Sequence, residues 1–376
     1  MDRKHVRWQE LDRRFMELQG DIDLDNYLSP TNRTMELRAF KAAVSDGRVY
    51  NPLFTYASLP DVHEDELMAF RDELDLTDPV ESIFHEAVTC RLGEIDGAKT
   101  HRGSVITRGS LAMYGRPSAA LQAVARQNLT TFQPDQAAYN GTRPGRIYNA
   151  EELAVICREA MKGYGFDWKV IVKDDFGAKA AVDNLVKEFW IRSDVLFHES
   201  LVTMLVVHEI GCHVLRSENG YAQPLKIFGR GLPAYQFTEE GLAEYSEEMA
   251  GALSDDTVYR ISGRVLGVEA ALNGSFWDVY LTVRDYFDVD MAFDIAQRAK
   301  LGIADTSEPG SYTKDYTYLA GLHRIREFFS APTRPEIQAL YAGKVGFHHL
   351  DAVKELQAIG YLTPPKALPD WVQSRM

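Results

Sequence analysis

Two histidines five residues apart, at the end of an apolar run, constrain this chain more than any other feature of its sequence. Ser200-Leu-Val-Thr-Met-Leu-Val-Val leads into His208-Glu209-Ile210-Gly211-Cys212-His213. The length of the run and its leucine and methionine content predict a buried helix. On a regular α-helix, residues at i and i+5 are separated by roughly 500° of rotation, which would leave the two rings about 140° apart. The familiar arrangement for a shared metal spaces the histidines at i and i+4. For these two imidazoles to meet, the backbone must widen locally to i→i+5 hydrogen bonding, a geometry that concentrates at functional sites. Gly211, between them, lacks the Cβ that would resist an irregular backbone. The plainer alternative is an ordinary helix carrying two unrelated histidines.

The surroundings weigh against that alternative. A buried His-Glu pair needs partners, because an unpaired charge in a core is expensive. A metal ion is one such partner. Imidazole nitrogen and carboxylate oxygen suit Zn²⁺, and three protein ligands leave its fourth position for water. Glu209, beside the first histidine, can take a proton from that water. A third ligand is expected downstream. Gly220 to Gln236, with Pro224, Gly229, Gly231 and Pro233, reads as an irregular excursion. A new helix is expected from Thr238 as N-cap, with Glu239 and Glu240 in its first turn. Acidic residues there are also ordinary helix-start chemistry. Glu240 is the favoured ligand; Glu239 and Glu244 stay open, because spacing does not separate them.

His208 to His213 and Glu240-Gly241-Leu242-Ala243 resemble the signature of the bacterial flavohaemoglobin expression-modulating QEGLA-motif proteins, with Glu239 where that motif has glutamine. The same pattern is similar to that of the microtubule-associated tyrosine carboxypeptidases, which remove the C-terminal tyrosine of α-tubulin. A third match is Thr313-Lys314-Asp315-Tyr316-Thr317-Tyr318-Leu319-Ala320-Gly321. Together these matches cover about residues 190 to 325.

The resemblance implies a zincin-like metallopeptidase with zinc on His208, His213 and Glu240 and with Glu209 as general base. It also brings forward Lys314 as the cation that meets a substrate's terminal carboxylate. The competing reading of Lys314 is a surface lysine paired with Asp315. Arg216, which could instead pair with a ligand carboxylate, and Arg192 are other candidates for that contact. Tyr318 is a candidate oxyanion donor, or else a helix tyrosine with its ring in the core. The expected activity is zinc-dependent removal of the last residue from a peptide or protein C-terminus, with tyrosine or phenylalanine as candidate terminal residues. One alternative is a non-catalytic regulatory protein with structural zinc, which would need a fourth protein ligand such as Cys212 or Glu244. Another is a zinc aminopeptidase or endopeptidase, which needs no cation aligned with the last residue of its substrate.

Composition narrows the classes. The net charge of −14 argues against nucleic acid as a partner. It also argues against a direct copy of the tubulin activity, since an acidic protein repels an acidic tail. No apolar run reaches the length of a membrane span, and the first residues, Met1 to Trp8, show no secretory signal. Cys90, Cys157 and Cys212 are too few and too scattered for a disulfide framework. A cytoplasmic protein is expected, and Cys212 is read as a small buried residue.

The expected architecture is α+β and mainly helical, with a helical, loop-rich part over residues 1–150 and a zincin-like catalytic part over 151–376, either as two parts or as one continuous domain. Val6, Trp8, Leu11, Phe15 and Leu18 mark an amphipathic helix. Glycines and a proline between Gly93 and Pro117 predict loops, as does the stretch from Gln133 to Asn149. Glu151 to Gly163 reads as a helix. Trp168–Val172, Ala180–Val182 and Glu188–Arg192 read as strands of a small sheet that feeds into the histidine helix.

Overall fold

A computed structural model describes residues 3–20, 22–132, 145–174, 178–330 and 337–373. The chain is mainly helical, with two small sheets. It forms two compact units, neither continuous in sequence. The first comprises residues 1–13, 135–254 and 321–376; the second comprises 14–134 and 255–320. A helix does begin at the expected boundary, Ala150–Tyr164, but both units draw on chain from either side of it. No helix among the described residues is long and apolar enough to cross a membrane.

In the first unit, β1 (Ile147–Tyr148) pairs antiparallel with β5 (Phe197–His198). The larger sheet has the order β2-β4-β3. Here β2 (Lys169–Lys173) runs parallel to β4 (Glu188–Arg192), and β3 (Ala180–Asp183) runs antiparallel to it. Side chains alternate faces along a strand, so Phe189 and Ile191 point together into the core, fully buried. They meet Leu153, Ala154, Cys157 and Met161 of helix Ala150–Tyr164, and Ile210 and Val214 of the histidine segment. That helix is fixed at its start by a capping box in which the Asn149 side chain accepts from the Glu152 N–H and the Glu152 side chain from the Asn149 N–H. The sheet therefore bears on the metal-ligand candidates through one shared apolar layer.

The second helix of the motif, Gln236–Met249, starts two residues before the expected cap. Thr238 lies inside it, where its hydroxyl accepts a hydrogen bond from the Phe347 backbone N–H at 2.9 Å. Gly241 has a steric role. A Cβ there would come within 2.8 Å of the Gly321 Cα, so the helix can lie against that backbone only without a side chain at this position.

The first helix, Arg3–Gln19, buries Trp8, Leu11 and Phe15 as its spacing predicts, while Val6 is exposed. In the second unit the expected loops from Gly93 to Pro117 are mostly two helices, Pro79–Thr100 and Gly103–Tyr114. Gly97 is not a breaker here but a contact point, whereas Gly115, at φ +77°, does end the second of these helices. A Cβ on Gly97 would sit 2.8 Å from the Ile106 side chain of the facing helix. Phe40, Phe276 and Phe293 form an aromatic centre with ring centroids 5.1–5.3 Å apart. Residues 133–144 of the stretch expected to be a loop lie outside the described residues.

Candidate metal centre

The histidine segment has the irregularity that its spacing demands. Val206–Val214 is a π-helix, entered from α-helix Glu199–Leu205 and left by α-helix Leu215–Tyr221. It brings the His208 and His213 rings onto one side, with centroids 4.9 Å apart and planes at 74°. Gly211 is not sterically required for this. Its φ is not in the left-handed region, and an added Cβ would meet nothing closer than 3.7 Å.

Helix Gln236–Met249 presents Glu240 to both rings. Glu240 Oε2 lies 3.8 Å from His208 Nε2 and 3.8 Å from His213 Nε2. Tetrahedral zinc with bonds of ~2.0–2.1 Å sets its donors roughly 3.3–3.4 Å apart, a small side-chain adjustment from this spacing. His208, His213 and Glu240 thus form a group that could hold a metal ion.

The other ring nitrogens are also engaged. His208 Nδ1 lies 2.7 Å from Glu247 Oε1, and His213 Nδ1 lies 2.8 Å from Glu239 Oε1. A carboxylate on Nδ1 fixes ring orientation and leaves Nε2 for a metal. Glu239, kept open above as a ligand, stands behind His213. Arg216 Nη1 donates to its Oε2, and Lys344 Nζ donates to its Oε1 at 2.6 Å. Burial alone would push the Glu239 carboxyl upward, but Lys344, Arg216 and His213 hold it well below the usual carboxylate range. Glu244 and Glu247 lie one and two turns beyond Glu240 on the same helix, both buried.

The charge balance around His208 favours a cation. Burial opposes charge on this imidazole, yet the Glu247 hydrogen bond and the charges of Glu209, Glu247 and Glu244 outweigh it and push the ring up to about 10. Glu247 Oε2 is buried and has no hydrogen-bond partner among the described residues. A divalent ion on the Nε2 face answers the same excess of carboxylate. Glu209 is half-buried in the π segment and makes no hydrogen bond or ion pair among the described residues, so its carboxylate is available for proton transfer.

The cations proposed for a substrate carboxylate fare differently. Arg216 is fully buried. Besides Glu239 it donates to the carbonyls of Leu340, at 3.2 and 3.1 Å, and Val345, at 2.6 Å. Its donors are used inside the protein, so it supports His213 through Glu239 rather than meeting a substrate. Arg192 ends β4 and pairs with Asp194 at 2.7 Å, partly exposed. Lys314 and Tyr318 belong to the second unit. There Lys314 pairs with Asp25 at 3.6 Å and not with Asp315, whose partners are Arg298 and Arg264. The Arg264 guanidinium lies 5.0 Å over the Tyr318 ring. Cys212 is buried, its thiol donating to the Glu239 carbonyl at 3.6 Å, and burial pushes that thiol well up.

Sequence reading did not anticipate Glu247 or Lys344. The first left a usable signal, the i, i+4, i+7 carboxylate stripe of Glu240, Glu244 and Glu247 on one helix face. The second left none, since it lies 105 residues from Glu239.

A sequence model described as microtubule-associated tyrosine carboxypeptidase matches residues 39–376. The chain belongs to this family. Among individual relatives, microtubule-associated tyrosine carboxypeptidase 1 of Homo sapiens is 30% identical over 173 residues, 45% of this chain and 36% of its own length. The Mus musculus protein MATCAP2 is 33% identical over 168 residues, 43% of this chain and 32% of its own. The Rattus norvegicus carboxypeptidase 1 is 35% identical over 123 residues, covering 31% of this chain and 26% of its own length. The matched part is thus about a third of the length of these relatives. The family match spans both histidines, Glu240 and the Thr313–Gly321 segment.

Proposed function

We propose that this protein is a zinc-dependent carboxypeptidase with a zincin-like catalytic unit, acting on the C-terminal bond of a peptide or protein. The observation that carries this reading is the convergence of His208 Nε2, His213 Nε2 and a Glu240 oxygen in a chain of the tyrosine carboxypeptidase family. His208, His213 and Glu240 would hold the metal. When bound, a zinc ion there would supply Lewis acidity toward the scissile carbonyl and the attacking water.

The rest is done by the chain. Glu209 accepts a proton from water as its oxygen bonds to the carbonyl carbon. It returns that proton to the amine nitrogen as the C–N bond breaks. Glu247 and Glu239 hold the two imidazoles in the tautomer that leaves Nε2 facing Glu240. β3 is an edge strand that packs against the π segment, so it is the proposed track for an extended peptide bound through main-chain hydrogen bonds. Arg192 is the proposed anchor for the terminal carboxylate in this unit. A terminal tyrosine or phenylalanine is the proposed preference, by analogy with the relatives' names. The net charge of −14 makes a strongly acidic tail a poor substrate.

The test pairs metal analysis with peptides that differ only at their last group. About one zinc per chain is expected, together with cleavage of a tyrosine-ended peptide whose C-terminus is free and little cleavage of its amide. Equal cutting of both, or release of internal fragments, would point to an endopeptidase. A metal-free protein that still cuts would remove zinc from the assignment.

A further inference from the structure

The second unit contains a cavity of about 370 Å³ that the proposed chemistry leaves unused. One stripe of helix Pro79–Thr100 forms a wall, from Ser82 through Glu86, Cys90, Gly93 and Glu94 to Gly97. Residues of helix Gly103–Tyr114 face it. The space exists because the wall carries glycines. Nothing lies within 4 Å of where a Gly93 Cβ would be.

Most of the lining is apolar, and no lysine or arginine is part of it. Its polar lining includes Ser82, His85, Glu86 and Thr89, together with the carboxylate of Glu94. This carboxylate makes no hydrogen bond or ion pair among the described residues. Arg91 and Lys314 act on it only from a distance, and Asp25 and Asp23 oppose them. Arg91 donates instead to the carbonyls of Gln19 and Ile22, and Lys314 pairs with Asp25. Burial accordingly pushes Glu94 up to about 7. Tyr114 and Tyr312 also line the space, their rings edge to face with centroids 6.0 Å apart.

A desolvated carboxylate without a partner, set among aromatic rings in an apolar chamber, is the recognition chemistry of an organic ammonium ion. The carboxylate supplies a charge-assisted hydrogen bond and the rings supply cation–π attraction. We propose that this cavity binds a small organic cation, an apolar body bearing an amine, with Glu94 as its counter-charge.

The experiment uses the full chain and phenethylamine as probe, with 3-phenylpropionate and 2-phenylethanol as anionic and neutral counterparts, titrated by ligand-observed NMR. Phenethylamine should saturate, and its two counterparts should not. Glu94→Gln should weaken amine binding by about tenfold or more, the loss expected for a hydrogen bond to a charged group. Gly93→Leu fills the chamber while replacing glycine by a better helix former, so it should abolish binding with the melting temperature unchanged or raised. Equal binding of amine and carboxylate would overturn the proposal. So would amine binding unaffected by both substitutions, or no saturation by about 10 mM, beyond the weak end of specific binding.

Discussion

His208 meets Glu247 through Nδ1 at 2.7 Å, and Glu247 lies seven residues after Glu240 on the same helix. One helix face therefore offers a carboxylate to the Nε2 side of the imidazole and another to its Nδ1 side. Glu247→Gln removes the charge and keeps the shape, so zinc affinity should fall by about 10–100-fold, the usual consequence of losing such a support. Competition with a chromophoric chelator measures this. The Glu244→Ala protein should lose less zinc than Glu240→Ala; the opposite ranking would make Glu244 the third ligand.

Glu209→Gln should leave zinc content unchanged and slow turnover on a proven substrate by about 10²–10⁴-fold, the usual share of a general base. Unimpaired turnover would exclude Glu209 from proton transfer.

Arg216→Met should destabilise the protein strongly. Removing one partner of a buried pair leaves the other charge uncompensated, at a cost of about 3–5 kcal/mol. Arg192→Ala breaks only a partly exposed pair and should stay within about 0.5 kcal/mol. Urea midpoints of the two variants give the comparison. Similar small shifts in both would show that Glu239 does not depend on Arg216.

Asp315 provides a pH test within the second unit. Burial alone would raise its carboxyl, but Arg298 and Arg264 beside it outweigh that and hold it at about 2, below the ordinary 3.8. A depressed carboxyl stabilises the fold fully above the unfolded value, and that contribution fades as pH falls from about 3.8 toward 2. Asp315→Asn should therefore cost most stability at pH 5 and progressively less at pH 4 and 3. A difference that grows on acidification would contradict the ion-pair account.

How much of this was legible in the sequence depended on distance along the chain. The spacing of His208 and His213 was enough to demand a widened helix, because rotation per residue is a local property. The strands β2, β3 and β4 were legible for the same reason, their alternation being local. Gly97 misled because a helix-breaking propensity and a helix-contact requirement use the same residue. Only the facing Ile106 side chain decides between them. Arg216 read as either a substrate cation or a partner for a ligand carboxylate, and nothing nearby in sequence chooses between them, since the Leu340 and Val345 carbonyls that occupy it lie far along the chain.

The interleaving of the two units has a consequence for the order in which a nascent chain can fold. Synthesis runs from the N-terminus, and folding units form as their sequence emerges. Both segments of the second unit, 14–134 and 255–320, have been made before residue 321 appears. The histidines and Glu239 are made earlier still than the second of those segments, but Lys344 and the Leu340 and Val345 carbonyls come after it. Until they arrive, Glu239 lacks one of its two cations and Arg216 lacks its carbonyl partners. The ribosome thus delivers the proposed metal-ligand residues well before the residues that hold them in place, which would make the proposed metal centre the late-maturing part of this molecule.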